Sequence, residues 1–324
     1  MTVPGGPRTD PLGGLTLVHV LGALRLWTRL GQTPSRGADR PTCAVLDGPT
    51  PDALLADVCA RAARAGHAPA TVERLREAWV ALAPEARLRV AAPCASDLPT
   101  WRGRPAVQVD GTTCGAAVGA MLLAAGDPVV ALALETGVAL ETGVGPGRAR
   151  DATVDAPAGA SSSSASSADA TVVAAASGFD ALQRHLHRGT TRRALLGVLP
   201  WPRRLGTPPW GLAREARCGG VRYRHVVVDV ADRARTAVLA ERIEACLRQG
   251  VPVPLLTGGA SRTGWATAVP RHVVLLVGVD GSTWRVYEPS SGRFLRVAAS
   301  GWAVPRRRDA WGGWSRPHWV LVPR

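Results

Sequence analysis

HVVLLVGVDGSTWRVYEP, residues 272–289, is the segment on which the fold turns. Two valine-rich apolar runs flank Asp280-Gly281, a dipeptide that tolerates the positive φ of a tight β-turn. The pattern predicts an antiparallel hairpin at the edge of a buried sheet. A turn centred near Asp280 to Ser282 makes paired residue numbers sum to about 560–563, which sets Glu288 opposite positions 272–275. His272 opens the first strand and Glu288 ends the second, so a carboxylate faces an imidazole across the hairpin.

Further strands read outward from this hairpin. VPVPLLTG (251–258) and RYRHVVVDV (222–230) precede it, and WVLVP (319–323) follows. Between the first two, residues 232–249 give the clearest helix, with Ala237, Val238, Ile243, Cys246 and Leu247 in one stripe and Gly250 just past its end. Another helix is expected around 178–188. Nearer the start, 52–65 carries Leu54, Leu55, Val58, Cys59 and Ala62 on one face. Residues 71–82 carry Val72, Leu75, Trp79 and Leu82, and Pro84 ends that helix. Helices early and strands late predict an α+β chain. Residues 1–50 carry no firm assignment. ALETGV at 133–138 recurs at 139–144 as a small duplication, and the Ala/Ser tract 151–170 is expected to be a disordered insertion.

QVDGTTCGAAVGAMLLAAGDP (108–128) holds the candidate nucleophile. Cys114 opens a small-residue apolar helix that Thr112 or Thr113 can cap and Gly126-Asp127-Pro128 closes. The unpaired N–H groups and positive dipole end at a helix start favour an anion there. Gly115 leaves room for a substrate backbone. Gln108, six residues before Cys114, can fold its amide back as an oxyanion donor beside the Cys114 N–H. A thiol, an imidazole to hold its proton and a carboxylate to orient that imidazole are what thiol hydrolysis requires. A cysteine in an Ala-rich helix is also what an inert buried thiol looks like.

Gln108, Cys114, Gly115, Ala117 and Met121, then Gly250, Pro252 and Val253, then His272 with VVLLVG, then Val286, Glu288, Pro289 and Gly292 resemble, in order, the C39-like cysteine peptidases. That family has the papain-like superfold, and the similarity spans about residues 104–298. It implies Cys114 as nucleophile, His272 as base, Glu288 as orienter and Gln108 in the oxyanion hole. Members usually have Asp where this chain has Glu288, and often Asp where it has Thr113. The expected architecture is a papain-like α+β domain over 101–324 behind a mostly helical extension over 1–100. The expected reaction is hydrolysis of a peptide or amide substrate through a thioester on Cys114. Acyl transfer to an amine on the same site, and a catalytically inactive papain-like binding module, are the alternatives.

All 39 basic residues are Arg, and the net charge of +14 sits in an Ala-, Gly- and Pro-rich chain, a composition that follows biased codon usage. Residues 251–324 carry ten Arg against three acids, yet no nucleic-acid motif accompanies them, so no nucleic-acid partner is expected. The apolar run Leu12 to Leu30 is broken by His19, Arg25 and Arg29, so no membrane span is expected. Six widely spaced cysteines without a CxxC predict no metal or cofactor and a reducing, cytoplasmic home. His185 and His187, two apart on a helix, face different ways and do not suit a joint metal site. His225 in a strand and His318 in the tail are weaker catalytic candidates. Trp201, Trp210, Trp265, Trp302, Trp311 and Trp314 are expected in packing or lining a cleft, and Arg306 to Arg308 in a solvated loop.

Overall fold

Proline sets the rhythm of the first half of the chain. A computed structural model describes residues 51–140, 178–194, 198–259 and 271–324. Residues 1–50, the second hexapeptide copy from 141 onward, the Ala/Ser tract 151–170 and Trp265 lie outside the described residues. Helices α1 (Pro51–Arg64), α2 (Pro69–Ala81) and α3 (Pro84–Ala91) each begin on a proline, whose fixed φ and missing N–H suit a first helical turn. Pro84 therefore starts a helix as well as closing the one before it. A short hairpin, β1 (Thr100–Trp101) and β2 (Arg104–Pro105), leads to α4 (Cys114–Gly126), which is buried along its whole length. Asp127 accepts from the Val129 N–H and Pro128 opens α5 (Pro128–Thr136), a helix the sequence reading did not separate. The first ALETGV copy ends this helix, with Gly137 in the left-handed region at φ 77°.

α6 (Phe179–Arg192) follows, then a 3₁₀ turn (Arg203–Leu205) and α7 (Pro209–Glu215). The remaining elements are β3 (Arg217–Cys218), β4 (Val221–Val227), α8 (Arg233–Arg248), β5 (Val253–Gly258), β6 (His272–Asp280), β7 (Thr283–Glu288), β8 (Arg293–Ala298) and β9 (Arg316–Pro323). Seven strands form one antiparallel sheet in the order β3-β4-β9-β5-β6-β7-β8. The last strand thus inserts between β4 and β5, pairing with both. The chain is α+β, as its pattern predicts. Among the described residues no single helix is long and apolar enough to cross a membrane. The apolar pair α4 and α5 bends by 113° at Asp127 and is buried in the core.

The expected β6–β7 hairpin forms, with Gly281 at φ 56° in its turn. Its register carries a feature that matters for the site. From Asp280↔Thr283 to Gly278↔Arg285 the pairing is regular, but Leu276 pairs with Val286, leaving Val277 as an extra residue. This bulge switches which side chains share a face. Continued past Leu275↔Tyr287, the shifted register sets Glu288 beside Val274, on the face that His272 occupies. The unshifted register would have turned Glu288 away.

α1 to α3 share the same apolar core as α4 to α6 and the sheet. Arg61, 2% exposed, reaches from α1 to the carbonyl oxygens of Ala91 (2.6 Å) and Ala125 (3.4 Å), near the ends of α3 and α4. Its guanidinium so serves the exposed carbonyls at two helix C-termini. Arg89 on α3 grips Glu135 on α5 through two bonds of 2.6 and 3.0 Å.

Candidate active site

The loop before α4 is fixed from three directions. Tyr287 on β7 donates to the Ala106 carbonyl at 2.6 Å, and the Gln108 N–H donates to the Pro289 carbonyl at 2.8 Å. From α6, fully buried Gln183 accepts from the Val109 N–H at 3.1 Å and donates to the Val107 carbonyl at 2.9 Å. Asp110 then accepts from the Thr112 N–H and hydroxyl, both at 2.7 Å, forming a tight turn into the helix. These hydroxyl and amide bonds hold the Asp110 carboxyl below its usual range.

Thr113 occupies the N-cap position of α4 but gives the helix no side-chain cap. This corrects the expected capping role: its hydroxyl is bonded to Asp110 instead. The first-turn N–H groups beside Cys114 consequently meet no capping side chain. Gln108 is tied to the loop and to the segment after β7, with Nε2 donating to the Asp110 carbonyl at 2.8 Å and Oε1 accepting from the Ser290 hydroxyl at 3.2 Å. One of its amide hydrogens is used in the loop, leaving the other.

Cys114, His272 and Glu288 come together although they lie on α4, β6 and β7. His272 Nε2 lies 2.8 Å from Glu288 Oε1, and the Cys114 thiol stands close enough to the same imidazole to help raise its pKa. With Nε2 directed to Glu288, Nδ1 is the nitrogen left for the thiol. All three are buried, at 3, 6 and 4% exposure. Burial works against an imidazolium at His272, but the bonds and charges of Cys114 and Glu288 outweigh it and raise its pKa to about 9. Burial likewise opposes a carboxylate at Glu288. The bond from His272, the Ser290 N–H at 2.8 Å and Ser291, whose N–H is also at 2.8 Å, overcome this and lower its pKa to about 2. Glu288 is thus an anion in a fixed rotamer, and its extra methylene does not stop it reaching the imidazole.

Two features of the site had no sequence signal. A Cβ on Gly312, which has φ +64°, would stand 2.6 Å from His272 Nε2, so the turn after Trp311 is packed onto the imidazole. A Cβ on Gly115 would stand 2.6 Å from the Thr207 Cβ, and the Thr207 hydroxyl is buried beside it without a hydrogen-bond partner. Gln183 did leave a signal: an amide within the apolar stripe of Phe179, Leu182 and Leu186.

No family model, curated protein or solved structure matches this chain. The remaining candidates lie elsewhere. His318 is buried in β9, with Nε2 3.1 Å from the Gly259 carbonyl, and burial lowers its pKa to about 4. Burial also lowers the pKa of His185, His187 and His225. Trp302 and Trp311 are core residues, and Arg308 lies over the Trp311 ring at 4.3 Å. Among the described residues no cluster of His, Cys, Asp and Glu suits a metal ion.

Proposed function

We propose that this protein is a cysteine peptidase or amide hydrolase of the C39-like, papain-like type. The observation that carries the reading is a buried carboxylate 2.8 Å from the His272 imidazole, with the Cys114 thiol close enough to act on the same ring, at a helix start that Thr113 does not cap. His272 takes the Cys114 proton as sulfur attacks the amide carbon, and the oxyanion forms against the Cys114 N–H and the Gln108 amide. The imidazolium, held by Glu288, returns its proton to the leaving amine, and water then resolves the thioester. A thiol nucleophile must stay reduced, which fits a cytoplasmic home. The five described cysteines are all free.

Selective alkylation tests the reading. Near pH 7 a peptide-like electrophile is expected to modify Cys114 in preference to the other cysteines; burial raises the pKa of Cys59 and Cys246 and leaves them less reactive. Cys114→Ala removes labelling and amide hydrolysis with a stability change of no more than about 1 kcal/mol. His272→Ala slows labelling at pH 6 by at least about tenfold. Unchanged labelling in His272→Ala puts the binding-module reading first. Labelling that depends on His272 without hydrolysis, but with transfer to an added amine, favours acyl transfer.

A further inference from the structure

A second site lies behind α4, away from the thiol. Leu123, which lines it, is nine residues beyond Cys114, about 13 Å along the helix axis. Here a cavity of about 1000 Å³ opens between α4, α6, the 3₁₀ turn, β3 and β4. Seven arginines line it against two acidic residues, whereas the whole chain has 39 basic and 25 acidic residues. Biased composition alone does not gather charge in this ratio.

Both carboxylates are already engaged. Asp127 receives His67 Nε2 at 2.8 Å and caps α5, and Glu215 receives Arg214 at 3.1 Å. Arg214 also donates to the Gly189 and Arg193 carbonyls, so it fastens the rim. Of the other six arginines, Arg188, Arg192, Arg203, Arg217 and Arg222 come from four separate elements, and Arg193 follows the end of α6. Arg188 and Arg192 stand one helical turn apart on α6, a like-charge spacing that destabilises a helix. Burial, and then the charge of Arg188, lower the pKa of His185 in the same wall. A concave, one-signed surface concentrates its field on whatever enters it. The indole of Trp201, edge-on to Trp210 at 5.5 Å, supplies an aromatic surface on the same wall.

We propose that this cavity binds a small molecule carrying a chain of two or more phosphates, either a nucleotide or an inorganic polyphosphate. Planar guanidiniums pair two N–H donors with two phosphate oxygens, and the volume suits a ligand of that size. The proposal is independent of the chemistry at Cys114.

Calorimetric titration of the full chain with tripolyphosphate, ATP, AMP and inorganic phosphate tests it. Saturable binding of tripolyphosphate and ATP is expected, each at least about tenfold tighter than AMP or phosphate, and weakening as salt is raised. Arg188→Gln with Arg192→Gln is expected to weaken that binding by about tenfold or more. Arg293→Gln with Arg296→Gln, exposed on β8 at the opposite edge of the sheet, removes the same charge and is expected to change affinity less than about twofold. Tighter binding of ATP than of tripolyphosphate identifies a nucleotide, and the reverse identifies a polyphosphate. Equal weakening by both double variants, or absence of saturation, overturns the proposal, because attraction to the net charge alone then explains the result. Cys114→Ala is expected to bind the same probes with unchanged affinity.

Discussion

Gly312 leaves His272 almost no freedom. At φ +64° a side chain is strained, and its Cβ would stand within 2.6 Å of the nitrogen that meets Glu288. Gly312→Ala is expected to lower stability by about 1–2 kcal/mol and to slow Cys114 labelling, measured by thermal melts and alkylation rates on the same sample. Glu288→Gln tests the charge itself. The folded carboxyl has its pKa lowered to about 2 from 4.5, so its stabilisation is complete above about pH 4.5 and fades as pH falls through 2. The imidazole is raised to about 9 from 6.5, so its stabilisation is complete below about pH 6.5 and fades as pH rises through 9. The melting-temperature gap between the parent protein and Glu288→Gln is therefore expected to be widest between pH 4.5 and 6.5 and to narrow toward pH 9. A gap that stays constant from pH 5 to 9 would show that the pair carries no charge. The gathering of Cys114, His272 and Glu288 was legible because reactive residue types stood at the ends of a helix and two strands, whereas Gln108 lies mid-loop and is bonded to Asp110 and Ser290. Thr207 and Gly312 were not, since their roles consist of contacts with residues far away in sequence.

Elements depend on pairings that local patterns cannot supply. Pro84, Pro128 and Pro209 each begin a helix, and a reading of proline mainly as a stop hides the helices at 84–91, 128–136 and 209–215. The hairpin at 272–288 was legible from its turn, but its bulge was not. Nothing in LLVGV marks Val277 as the residue that leaves the ladder, and parity across the hairpin depends on it. α6 acts on the site through Gln183, which holds the loop before Cys114 at both Val107 and Val109. Gln183→Met keeps the bulk and leaves two backbone groups unpaired, an expected cost of about 1–3 kcal/mol with slower labelling of Cys114. Gln183→Glu keeps the acceptor for Val109 and loses the donor to Val107, so its labelling rate is expected to fall between those of the parent and Gln183→Met. Equal labelling in all three would show that the loop holds its shape without α6.

Across the whole molecule, the segment before residue 100 is joined to the rest by polar bonds, those of Arg61 buried, as well as by apolar contact. Arg61 serves carbonyls on both α3 and α4, Arg89 pairs with Glu135, His67 meets Asp127, and Arg285 on β7 reaches the carbonyls of Cys94 and Ala95. Val58, Ala62, Leu75 and Val90 are fully buried in the core shared with α4 and α5. Removing this layer exposes the apolar outer faces of α4 and α5 and leaves Glu135 without Arg89 and Asp127 without His67. Apolar area returned to water costs about 25 cal/mol per Å², so uncovering two helix faces offsets much of a domain's net stability. A chain beginning at residue 101 is therefore expected to lose cooperative thermal unfolding, to bind a hydrophobic dye, and to lose selective labelling of Cys114. Arg61→Met makes the same point with a single change. It leaves the Ala91 and Ala125 carbonyls unpaired at two helix ends, at an expected cost of about 3 kcal/mol in denaturant melts. A cooperative melt and intact labelling in the 101–324 chain would show that the early helices only cover a core able to stand without them.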